Sequence, residues 1–161
     1  MTLSTHPTLR SAFTFVEVMI VVVIIGILAA IVVPQFGGMT SDARASAVQS
    51  ALGGVRSGIS GYRAKQIISG ADPYPTAAQI TTSGVVIQGD VPVNPWNNSS
   101  LIQEVSSAAA NSRAVSDADR YGWNYYMDNS ATPPVAVFYA NSQEETNVPD
   151  GSGGFKTANE L

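Results

Sequence analysis

Glu17 is the only charged residue between Phe13 and Val33, in a run reading FTFVEVMIVVVIIGILAAIVV. An ionised carboxylate inside an apolar layer is costly unless a cation or hydrogen-bond donors meet it, so this residue calls for a partner. The other side chains that could do chemistry are few. His6 is the sole histidine and lies ahead of the run, and cysteine is absent. A histidine-dependent triad, a His-ligated metal site, thiol chemistry and disulfides therefore cannot be built from the rest of the chain. No glycine-rich loop of the phosphate-cradling kind occurs either, and the reading is a protein that is not an enzyme.

The elements that position Glu17 follow from the hydropathy pattern. As a helix, Phe13 to Val33 spans about 31 Å at ~1.5 Å per residue, the thickness of a bilayer hydrocarbon core. A Sec-type signal peptide fits poorly. Its apolar stretch is about 7–15 residues long with a small-residue cleavage site behind it, whereas Leu28-Ala29-Ala30 is followed by more apolar residues. A plain single-pass anchor fits the length and places Glu17 one turn deep, near solvent, but gives it no task. Net charge is −4, and the densest basic group, Arg56, Arg63 and Lys65, is interspersed with Ser and Gly. Nucleic acid requires a basic stripe, so it is not indicated as a partner.

Past the run, Pro34 lacks the backbone donor a helix needs and is expected to kink or melt it locally, with Gly37 and Gly38 adding freedom. In SDARASAVQSALGGVRSGISGYRAK, Val48, Leu52, Val55, Ile59 and Tyr62 recur at spacings of four and three, one apolar stripe that needs a sheet to lie on. Ser41 is a candidate N-cap unless the helix continues from the membrane segment. Gly53, Gly54, Gly58 and Gly61 either permit close packing or let the helix fray. GADPYP, Gly70 to Pro75, breaks the helix. Short β-like runs follow at Val85–Gln88, Trp123–Met127 and Val135–Ala140, the last two reading as a hairpin around Asp128 to Pro134. The Ala/Ser-rich stretch from Asn98 to Asp119 reads as a short helix or a loop. The fold class is α+β, a long helix on a small antiparallel sheet.

The stretch FTFVEVMIVVVIIGILAAIVVPQF closely resembles the N-termini of type IV pilins and of the pseudopilins of type II secretion. Phe13, Thr14, Glu17, Gly26 and Pro34 match that pattern, while Ala12 stands where the family usually has glycine. The resemblance implies a leader, 1–12, removed by a prepilin peptidase between Ala12 and Phe13, with N-methylation of Phe13. It implies a membrane and assembly helix at 13–34, an amphipathic continuation at 35–66 and a periplasmic or extracellular pilin-like domain at 67–161. Glu17 would then meet the terminal amine of a neighbouring subunit, a buried charge compensated by its opposite.

Two further fragments, YPTAAQ at Tyr74 to Gln79 and VPVNPWNN at Val91 to Asn98, resemble the major pseudopilin, with Asn94 where aspartate is usual. Major pseudopilins hold calcium in C-terminal loops, which makes Asp117, Asp119 and Asp150 candidate ligands by residue type, without EF-hand spacing. The leading expectation is a structural subunit of a type II secretion pseudopilus, assembled from the inner membrane and supporting protein secretion. Its partners would be further copies, other pseudopilins or pilins, the peptidase, an inner-membrane assembly platform and lipid. The alternatives are a type IV pilin for adhesion, motility or DNA uptake, and a single-pass anchored enzyme or binding domain.

Overall fold

The computed structural model describes residues 13–161; residues 1–12, the expected leader with Ala12 at its end, lie outside the described residues. Two compact units meet in sequence at Met39 and Thr40. Helix α1, Phe15–Ser69, passes from one into the other. Its assignment continues through Pro34, Gly37 and Gly38, so the local melting expected at Pro34 does not occur. A proline removes one donor and leaves the other hydrogen bonds of the adjoining turns in place, and apolar turns have no better option than the helix. Ser41 is accordingly interior to α1 and caps nothing. The helix stops where the sequence breaks it. Gly70 takes a left-handed φ of 71°, and Ala71 N–H reaches back to Gln66 O at 3.1 Å, a glycine-dependent C-terminal cap.

In the unit from Thr40 onward, α1 buries a stripe of Ala45, Val48, Leu52, Val55 and Ile59, with Tyr62 only half-buried. The stripe packs on Trp123, Tyr125 and Phe138. Trp123 and Phe138 stack with ring centroids 5.5 Å apart. Each such side chain contributes about 1.5–3 kcal/mol by leaving water, so this face is the main reason the helix and sheet stay together. Gly58 is where close packing is required: a Cβ there would lie 2.7 Å from Val86 O and 2.8 Å from Ile87 Cγ2. Gly53, Gly54 and Gly61 face open space and carry no such constraint.

The sheet is mixed rather than wholly antiparallel. Strand β1, Ile102–Glu104, lies parallel to β2, Trp123–Asp128, which pairs antiparallel with β3, Val135–Ala140. The β2–β3 hairpin has the expected partners, Trp123 opposite Ala140 and Asp128 opposite Val135. A separate two-stranded ribbon joins β4, Glu145–Pro149, to β5, Phe155–Thr157. Val85–Gln88 is turn and bend, not strand; it packs across Gly58 instead of pairing. YPTAAQ opens α2, Ala77–Thr81, through a reciprocal capping box between Thr76 and Gln79. The Ala/Ser-rich stretch holds β1 and α3, Ser107–Ser112.

VPVNPWNN is a loop pinned by asparagines. Buried Asn94 donates from Nδ2 to Gly122 O at 2.8 Å and accepts from Trp96 N–H at 3.1 Å. Asn97 Nδ2 reaches Tyr121 O at 2.9 Å, and Trp123 Nε1 donates to Pro92 O at 2.7 Å. Asn141, fully buried, donates to Ser116 O at 2.7 Å and Tyr121 O at 2.9 Å, and accepts from Ser116 N–H at 3.2 Å and Asn124 Nδ2 at 3.0 Å. These bonds tie the loop, the α3–β2 connection and the end of β3 to one another. Gly122 sits between them, with Ser99 O in the space a Cβ would occupy. Gly122→Ala is therefore expected to destabilise this unit by about 2–3 kcal/mol through overpacking. Gly53→Ala, in open helix, should leave it unchanged or stabilise it by up to ~1 kcal/mol. Denaturant melts of the two variants followed by tryptophan fluorescence would separate these outcomes.

Candidate assembly site

Residues Phe13 to Phe36 are all exposed in the isolated chain, including Phe13, Phe15 and the Val/Ile run from Val21 to Ile25. This part of α1 is long and apolar enough to cross a membrane, and none of its apolar stretch is buried. A helix apolar on every side needs apolar surroundings on every side, from lipid or from other such helices.

Glu17 closes the first turn of that helix. Its Oε2 accepts from Thr14 N–H and from Thr14 Oγ1, each at 2.8 Å, while Glu17 N–H donates to Thr14 Oγ1 at 3.3 Å. This is a capping box: Thr14 precedes the first helical residue, Glu17 is the third, and each satisfies the other's backbone. Both donors converge on Oε2; among the described residues Oε1 has no hydrogen bond. Thr14 is the hydrogen-bond partner that reading by charge alone overlooks. The signal was present as Thr-x-x-Glu directly ahead of an apolar run. The carboxylate also sits at the positive end of the helix dipole, which favours an anion there. Phe13 is the residue immediately outside this box and lies four positions before Glu17.

The calcium candidates are not brought together. Among the described residues no three His, Cys, Asp or Glu side chains are grouped for a metal ion. Asp117 takes a left-handed φ of 50°, and its carbonyl accepts from Arg120 and Tyr121 N–H at 2.9 and 3.0 Å, so it builds a turn. Asp150 spends its carboxylate on its own loop, accepting from Ser152 Oγ at 2.7 Å, Ser152 N–H at 2.7 Å and Gly154 N–H at 3.0 Å. Asp119 is exposed.

The comparisons agree with the geometry at the N-terminus. Residues 8–33 match the prokaryotic N-terminal methylation motif. The N-terminal segment thus carries a prepilin-type methylation motif. Type IV major fimbrial proteins FimA of Dichelobacter nodosus are similar to it, 46% identical over 52 residues, which is 32% of this chain and 33% or 32% of theirs. The chain thus matches about a third of the length of the curated relatives, and no solved structure matches it. The pilin-type segment is also the part in which the capping box and the exposed apolar helix lie.

Asp150 supplies a pH test of the loop reading. The Ser152 hydroxyl first, then the Ser152 and Gly154 amides, hold its carboxyl below the ordinary value of 3.8. A depressed folded pKa gives stability that is present above the unfolded pKa and lost as pH falls through the folded one. Asp150→Asn is therefore expected to flatten the loss of stability as pH falls below about 4, read from thermal melts across the acid range. An unchanged acid limb would contradict the assignment.

Proposed function

We propose that this chain is a non-enzymatic structural subunit of a type IV pilus-like filament, held in the cytoplasmic membrane by its apolar helix until it is polymerised. A prepilin peptidase cuts between Ala12 and Phe13 and methylates the new terminus. The cut exposes an α-amino cation four residues before Glu17. Within the filament that cation neutralises the Glu17 carboxylate of an adjoining copy, while the apolar helices replace lipid with one another and the domain from Thr40 onward faces outward.

The observation that carries this reading is a capped, lone carboxylate at the head of a helical stretch exposed and apolar on every side, in the segment that matches the N-terminal methylation motif. Secretion-filament use rests on the two internal fragments alone. Both have sufficient structural reasons for their residues: YPTAAQ caps α2, and VPVNPWNN pins the entry to β2. The fimbrial role is therefore favoured over secretion, and further copies, an inner-membrane assembly platform and the peptidase are its partners.

Glu17→Leu removes the charge and leaves the apolar helix. The variant is expected in the membrane fraction at wild-type level, with sedimentable filament reduced at least about tenfold, as the loss of one buried charge pair implies. Filament at wild-type yield from Glu17→Leu would rule out this role for the carboxylate.

A further inference from the structure

Between α1 and the segment Val86 to Pro92 lies an open groove of about 480 Å³. Its helical wall includes Ala51, Gly54 and Gly58, and Ile87 and Pro92 come from the other side. A Cβ at Gly54 would touch nothing, so the helix backbone itself is within reach of an incoming side chain. Asp90 is the one charged residue in the lining, and it is exposed. The end of α1 has the matching character. Ile67 and Ile68 are 58% and 88% exposed, on the last turn before Gly70 ends the helix. Lys65, also exposed, precedes Ile68 by three residues and so shares its side of the helix. An apolar groove edged by an acid is thus accompanied, on the same chain, by an apolar tip edged by a base. The two cannot meet within one copy. Ile68 lies beyond Gly58 on the same helix, about 15 Å further along the axis at ~1.5 Å per residue.

Charge is divided in the same sense over the whole unit. From Thr40 to Ser69 the helix has four basic residues and one acidic, whereas residues 70–161 have three basic and ten acidic. Copies side by side are therefore attracted where the helix of one meets the remainder of the next, and repelled where like parts meet. We propose that the groove receives the Ile67–Ile68 end of α1 from a second copy of this chain, with Lys65 of the incoming copy beside Asp90. Groove and tip are different surfaces, so a docked pair still has one free groove and one free tip. The contact is heterologous and extends into a row of copies instead of closing as a dimer. The inference deepens the filament reading and rests on it, adding a contact made by the unit from Thr40 onward to the one made by Glu17.

The chain has no cysteine of its own, which makes engineered crosslinks unambiguous. Two full-length variants, Gln88→Cys at the groove and Ser69→Cys at the tip, are produced together in cells that hold a prepilin peptidase, and their membranes and sheared filaments are treated with a short bismaleimide. A crosslinked pair is expected from the two variants together and from neither alone. Asp90→Lys in the groove copy should lower its yield at least about fivefold by setting two cations against each other. Adding Lys65→Asp to the tip copy should restore most of that yield. Ile68→Ser in the tip copy, at a side chain outside the core, should lower it severalfold with an unchanged thermal melt. A pair formed by Ser69→Cys alone would mean that tips meet tips and would overturn the contact. So would a yield indifferent to Asp90→Lys, or normal sedimentable filament without the crosslink, which leaves the filament reading standing. A crosslinked pair without filament supports the contact and counts against that reading; neither pair nor filament overturns both.

Discussion

A single carboxylate at the head of the otherwise uncharged apolar stretch of α1, Phe15 to Phe36, is the constraint on which the rest turns. Glu17 has to be satisfied wherever the helix goes, in lipid or among other helices, because an isolated anion is not tolerated in either place. In the isolated chain two donors from Thr14 meet it, and both bind the same oxygen. That arrangement leaves the residue locally compensated and still able to accept a further donor or cation. In the function proposed above, compensation by the chain's own Thr14 suits a stored subunit, and attraction to a neighbour's terminus an assembled one.

Helix α1 serves two environments with one continuous backbone. Up to Phe36 its side chains are exposed on all sides and almost wholly apolar. From Ala45 onward only one stripe is buried; the rest is Ala, Ser, Gly, Gln, Arg and Lys, with Ile67 and Ile68 exposed at the end of the helix. The stripe anchors the domain through Trp123, Tyr125 and Phe138, and the loops beyond it are held by side-chain amides more than by apolar contact. With no cysteine to staple them, Asn94, Asn97, Asn124 and Asn141 supply directional bonds to main chain and to one another. Buried amides of this kind fix a unique loop geometry because each unmet group is penalised.

The helix, its buried stripe and the β2–β3 hairpin were legible in the sequence because each rests on periodicity, four-and-three spacing or alternation, over many residues. The turn at Val85–Gln88 was misread as strand because β-branched residues in a short run carry no signal that distinguishes a pairing edge from a lid on Gly58. Strands β1, β4 and β5 were missed for the opposite reason: IQE, ETNVP and FKT are short and polar, and their pairing is decided by tertiary partners rather than by local preference. At the N-terminus the charge was conspicuous and its local donor was not, although Thr14 and Glu17 stand at capping-box spacing.

What stands or falls on one datum is whether a cut before Phe13 frees the terminal cation that the carboxylate of an adjoining copy would meet. The intact mass and N-terminal fragment ions of the protein extracted from membranes of producing cells report this directly. The account predicts a chain that begins at Phe13 and carries one extra methyl group on its α-nitrogen. A chain that still begins at Met1 in the presence of an active prepilin peptidase would contradict it.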